Sequence, residues 1–190
     1  MKTSPIDAVT AYVRATHTLN VIVETPRGSR NKYKYDTTQG VFILKKVLPA
    51  GAVFPYDFGY VPGTCGEDGD PLDALLLMDE PSFAGCVIQA RLIGVIEAEQ
   101  TEVDGTKERN DRLVAVAIEA HDYYNLKSFK DIDQNLLREL EYFFVSYNQI
   151  EGKEFKLIAA RGPAQARKLI DQGIAVYTKS TKSRSPKTKR

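Results

Sequence analysis

The period of the apolar residues changes once along this chain, and that change limits the fold more than any other feature. Up to about residue 120 apolar positions alternate with polar ones or run together in short blocks of Val, Ile and Leu. After Asp133 they recur at steps of three and four. The first pattern belongs to strands and the second to helices. Leu19, Val21 and Val23 alternate with Asn20, Ile22 and Glu24, which puts the Glu24 carboxylate on the face opposite the valines, and Pro26 and Gly28 end the run. In "KYKYD", Tyr33 and Tyr35 face one way and Lys32, Lys34 and Asp36 the other; "DTTQG" then turns into "VFILKKVL", so 32–48 reads as a hairpin. Residues 72–78, 86–99 and 112–120 are further strands, separated late by "QTEVDGTKERND", which reads as a long polar loop.

The helical part begins with Leu136, Leu140, Phe143, Phe144 and Tyr147, which predict a helix over 134–147 with Asp133 as its N-cap. A second helix is expected from Pro163 through Ala166, Leu169 and Ile170 to about Tyr177. Strands followed by helices imply an α+β fold, most simply a small closed barrel with helices packed outside it. Residues 1–18 show no clear period; Ile6, Val9, Tyr12 and Val13 suggest a short helix or a docked arm. A chain of 190 residues suits one domain.

The net charge of +1 includes the six cations of 179–190, "KSTKSRSPKTKR", so the rest of the chain is acidic. With no apolar residue, that segment is expected to be a disordered, solvated tail. Cys65 and Cys86 form no C-x-x-C pair and read as free thiols. No apolar run nears the ~20 residues that cross a bilayer, and the N-terminus has no secretory pattern, so the expected setting is cytoplasmic with no membrane partner.

The most unusual stretch is "GEDGDPLD", residues 66–73, with four carboxylates. Pro71 keeps Asp70 extended and Gly69 lets the backbone turn, so Asp68, Asp70 and Asp73 can converge. Such crowding needs a compensating cation, proton or donor. Oxygen ligands favour Mg²⁺, Mn²⁺ or Ca²⁺ over zinc. An EF-hand is excluded, because Leu72 and Asp73 fall where its third ligand and its glycine belong. The competing reading is an acidic turn in which Asp68 or Asp70 bonds its own backbone. Glu24, Lys32, Lys46 and Arg112 favour the first reading, since a metal-phosphate site needs anions for the metal and cations for phosphate oxygens.

Other chemistries lack support. His17 and His121 are not accompanied by a nucleophile motif, and no phosphate-binding glycine loop is present. Phe42, Phe54, Tyr56, Phe58 and Tyr60 would suit base stacking or the core of a strand face.

"VIVETP", "NKYKYD", "FPYDFGYVPGT", "DGDPLD" and "LRELEYFFVSYN", in this order and spacing, resemble the soluble magnesium-dependent inorganic pyrophosphatases of family I over about residues 19–178. The resemblance implies a five-stranded OB-like barrel with two helices, hydrolysis of pyrophosphate by metal-activated water, and often a homo-hexamer. Mg²⁺ is the implied cofactor, with Mn²⁺ or another divalent ion as a substitute. It assigns Asp68, Asp70, Asp73 and Glu24 to the metal, with Asp70 beside the attacking water. Lys32 and Tyr147 match phosphate-contacting positions, Lys46 falls where the family has an Arg, and Arg112 joins them as a substrate cation.

The chain also departs from that pattern. K-x-E becomes Lys32-Tyr33-Lys34; two site tyrosines become Phe54 and Phe58; the later D-x-K becomes Asn110-Asp111-Arg112; and a Lys becomes Asn148. Asp111, Glu99, Glu102 and Asp104 are the candidates for the displaced metal ligands. Two alternatives therefore stand beside the enzyme: a weakened member that binds metal and phosphate or cleaves another phosphoanhydride, and an OB-type nucleic-acid binder.

Overall fold

The computed structural model describes residues 4–184. Five strands close on themselves: β1 (Leu19–Thr25), β4 (Asp57–Tyr60), β5 (Asp73–Leu77), β8 (Arg112–Ala117) and β6 (Val87–Thr101) pair in that order, and β6 returns to β1. All contacts in the ring are antiparallel except β5 with β8. β6 is long enough to serve two sheets because it is irregular between Leu92 and Gly94 and between Glu97 and Ala98. Such bulges bend a strand and increase its twist. The ring interior is filled by Val21, Val23, Leu75, Leu77, Ile93 and Val114, all buried. This is the α+β, five-stranded OB-like barrel expected from the chain.

Two glycines allow the close packing. A Cβ on Gly59 would collide with the backbone of Ile22 and Val23 on β1, and one on Gly94 would collide with Phe129 and the Arg161 carbonyl. The hairpin of β2 (Asn31–Asp36) and β3 (Val41–Val47) forms a separate two-stranded sheet beside the ring. It sets Lys32 opposite Lys46, with an irregularity just after Lys32.

Helix α1 (Gln134–Gln149) starts where expected, the Asp133 carboxylate accepting from the Asn135 amide at 2.6 Å. Its buried face is Leu140, Phe144, Tyr147 and Asn148, so the same turn that anchors the helix delivers Tyr147 to the barrel mouth. Residues 5–8 form a 3-10 turn, and Ile6 and Val9 pack on Ile22, Tyr35 and Tyr60.

Three features differ from expectation. The polar stretch 100–111 is a hairpin tip: β7 (Lys107–Arg109) pairs with Glu99–Thr101, because Asp104-Gly105 supplies a turn and Lys107 pairs with Glu99 at 2.9 Å. A ninth strand, β9 (Glu154–Arg161), pairs with the far half of β6. The second helix, α2 (Pro163–Arg184), runs past the expected start of the tail at 179. Its polar residues carry no helix breaker before Pro186, and the Thr178 hydroxyl bonds back to the Ile174 carbonyl at 2.8 Å. The rest of the expected tail, 185–190, lies outside the described residues. No described helix is long and apolar enough to cross a membrane.

Candidate active site

A cleft of about 610 Å³ opens where β1, the β2–β3 hairpin, the loop before β5 and the end of α1 meet. One wall is anionic. The loop 66–72 folds tightly: the Gly66 amide donates to the Asp70 carbonyl at 2.7 Å, and the Asp70 amide donates to Asp68 Oδ1 at 3.0 Å. The Leu72 amide donates to Thr64 Oγ1 at 3.0 Å, and Gly69 has φ +83°. The acidic-turn reading and the convergent-aspartate reading are thus both met: Asp68 bonds its own backbone, and Asp68, Asp70 and Asp73 line one cleft with Glu24.

Glu24 stands at the end of β1 with its Oε1 accepting from the Tyr35 amide at 2.8 Å. Burial pushes its carboxyl up to about 7; the amide opposes this, the charge of Asp73 adds to it, and Lys32 and Lys34 oppose it. Asp68 is raised for the same main reason, burial, with the charges of Asp70 and Asp73 contributing.

The opposite wall is cationic. Lys32 Nζ donates to the Tyr147 hydroxyl at 2.9 Å. Lys46 lies 3.9 Å from the centre of the Tyr147 ring and pairs with Glu151. Tyr147 is held by Phe54 and Phe143, with ring centres 5.8 and 5.7 Å away.

Two cations cross to the acidic wall. Lys34 Nζ is 2.5 Å from Asp70 Oδ2, and Arg112 Nη1 is 2.8 Å from Asp73 Oδ2. Arg112 is buried, its guanidinium 5.8 and 5.5 Å from the Phe58 and Phe144 ring centres. It also donates to Asn110, whose amide donates to Gln100 Oε1 at 2.7 Å; Gln100 donates to Glu102, which pairs with Lys153 at 2.7 Å. Gln100, Glu151 and Lys153 are site residues that sequence reasoning missed. Their partners are distant in the chain, so no local spacing marks them.

The remaining candidates are sorted by this geometry. Glu102 lines the cleft. Asp111 does not: it accepts from the Ala98 amide at 2.9 Å and twice from Arg109, at 2.9 and 3.0 Å, on the far side of the acidic loop. Glu99 is taken by Lys107, and Asp104 caps its own turn by accepting from the Thr106 amide at 2.9 Å. Asn148 is buried, its amide donating to the Phe144 carbonyl at 2.8 Å. Phe54, Phe58 and Tyr60 are buried as well, so they offer no face to a base.

In kind, the donors suit a hard divalent cation: every candidate ligand is a carboxylate oxygen. In arrangement, Asp70 and Asp73 are turned to the chain's own cations. Among the described residues no three His, Cys, Asp or Glu side chains surround a common point.

A carboxylate wall facing lysines and a tyrosine hydroxyl defines a class of site, one suited to a phosphate compound handled with a divalent cation. The comparison with known proteins makes this specific. The chain belongs to the inorganic pyrophosphatase family, which matches residues 21–178. It is 38% identical to the inorganic pyrophosphatase of Nostoc sp. over 159 residues, covering 84% of this chain and 91% of that protein. With the inorganic pyrophosphatase of Methanosarcina mazei it shares 35% identity over 162 residues, covering 85% and 93%. The crystal structure of the Thermus thermophilus inorganic pyrophosphatase superposes with a TM-score of 0.83 at 29% identity, covering 92% of this chain and 99% of that one.

Proposed function

We propose that this chain hydrolyses inorganic pyrophosphate to two orthophosphates with Mg²⁺ as cofactor. The observation that carries this reading is one cleft with Asp68, Asp70, Asp73 and Glu24 on one wall and the Lys32–Tyr147 pair on the other, in a chain of this family. Enzymes of the family work with divalent cations. Asp68, Asp70, Asp73 and Glu24 would hold the cation, which supplies positive charge to phosphate oxygens and makes water more acidic.

The chain's own groups do the rest. Lys32 and the Tyr147 hydroxyl bind oxygens of the phosphate under attack or of the one leaving. Lys46 supports Tyr147 from behind its ring and adds charge to that wall. Arg112 is fixed between two aromatic rings and directs its guanidinium along Asp73 toward the substrate. Asp70, with about half of its side chain open to solvent, receives the proton of the attacking water. A cytoplasmic setting and a homo-oligomeric, hexameric state belong to the same reading.

The test is phosphate release from pyrophosphate with Mg²⁺, wild type against Asp70→Asn. A fall of about 10²- to 10⁴-fold is expected in the variant; equal rates would remove Asp70 from the mechanism, and a wild type at background would sink the enzyme. A second reading, a weak pyrophosphatase or one acting on another phosphoanhydride, is favoured by Asn148, which spends its amide inside α1 instead of presenting a cation. Comparing turnover of pyrophosphate with that of tripolyphosphate and a nucleoside triphosphate separates the two.

A further inference from the structure

Lys34 occupies an unusual place for a lysine. Its ammonium lies 2.5 Å from Asp70 Oδ2 and also interacts electrostatically with Glu24 and Asp73, so it faces three of the four carboxylates of the acidic wall. It reaches them from β2, two residues beyond Lys32, whose nitrogen turns the other way to Tyr147. A lysine that merely decorated the surface would meet one partner and trade it freely with water. This one is tethered by a strand to the middle of the cluster. Arg112 neutralises a second position, at Asp73.

Resting on the reading of this cleft as a metal-phosphate site, we propose that the Lys34 ammonium fills a cation position within the carboxylate cluster and limits the chain to a single tightly held divalent ion. The charge balance supports this. Four carboxylates opposed by Lys34 and Arg112 leave a charge that one divalent cation neutralises. A second divalent ion would have to displace the ammonium from Asp70 and remain beside it, with repulsion between unscreened like charges. Lys34 is therefore a positioning residue for the metal, not a group that touches the reacting atoms.

The test is Mn²⁺ binding to the full chain without pyrophosphate, by calorimetry and by electron paramagnetic resonance of free Mn²⁺. Wild type is expected to bind about one tight ion per chain. Lys34→Met should take up a further ion or bind the first about tenfold to a hundredfold more tightly. Lys34→Arg, which keeps the charge, should match wild type. Two or more tight ions on wild type, or a Lys34→Met chain that binds like wild type, would overturn the proposal. If Lys34→Met fails to fold, the wild-type count decides alone. Phosphate release by wild type, measured in parallel, separates the two readings. Release without the expected Mn²⁺ pattern removes the role of Lys34 only; the Mn²⁺ pattern without release removes the pyrophosphatase only.

Discussion

The Lys32 ammonium donates to the Tyr147 hydroxyl at 2.9 Å although the two residues are 115 positions apart, one on a hairpin and the other on the last turns of α1. The contact joins the hairpin to the helix and aims both donors into the cleft. Tyr147→Phe keeps the ring against Phe54 and Phe143 and removes only the hydroxyl. Phosphate release should fall about tenfold, with the melting temperature nearly unchanged. Lys32→Ala removes a charge and should cost about a hundredfold or more. If Tyr147→Phe lowers the melting temperature as much as the rate, the contact is structural.

Asp73 and Arg112 form the most enclosed ion pair of the cleft, Arg112 with 7% of its side chain exposed and Asp73 with 27%. Asp73→Asn leaves the guanidinium without its counter-charge, and the remaining Asn110 oxygens compensate only in part. A loss of about 2 kcal/mol is expected, less than for a fully buried pair because Asp73 meets solvent. Adding Arg112→Met should recover about 1 kcal/mol of it, since no unpaired charge then remains. Urea unfolding of the four proteins in the cycle measures this, and additive losses would show that the pair is not coupled.

What could be read from the sequence was what is local. The loop 66–73, Glu24 after an alternating strand, and Lys32 in "KYKYD" each announce themselves within a few residues, and all three reach the cleft. The closing of the ring was accessible because β1, β5, β6 and β8 are rich in Val, Ile and Leu. β9 was not, because its alternation of Phe155 and Leu157 is short, follows directly on a helix, and leaves Ile158 exposed. Asp111 was expected as a possible ligand by its neighbourhood alone; Arg109, two residues back in sequence, takes both of its oxygens. The Glu102–Lys153 pair and the Gln100–Asn110 bond depend on how β6, β7 and β9 are laid together, which no spacing encodes.

Gly59 marks the tightest approach of two strands in the ring. A Cβ there would meet the Ile22 carbonyl and the Val23 Cα, both backbone atoms that cannot move without opening β1 from β4. Gly59→Ala should therefore cost about 3 kcal/mol or more and lower soluble yield. Gly162→Ala, with open space around the new methyl group, is the matched control and should shift stability by no more than about 0.5 kcal/mol. Equal melting temperatures for the two would remove the packing argument.

Glu24 makes the stability of the metal-free chain depend on pH in a direction opposite to that of an ordinary paired carboxylate. Burial raises its folded-state value to about 7, so between the usual glutamate range and 7 the folded chain binds the proton more tightly than the unfolded one. Stability then falls as pH rises through this window; the penalty is absent below about pH 4.5 and complete above about pH 7. Its full size is about 3 kcal/mol. Glu24→Gln copies the protonated form and retains an oxygen for the Tyr35 amide. In EDTA the urea midpoints of wild type and Glu24→Gln should nearly coincide at pH 4.5 and separate by pH 8, with the variant more stable. A gap that does not change with pH would mean that Glu24 ionises as it does in water. Adding Mg²⁺ at pH 8 should narrow the gap, because a bound cation offsets the buried charge in wild type and finds one carboxylate fewer in the variant.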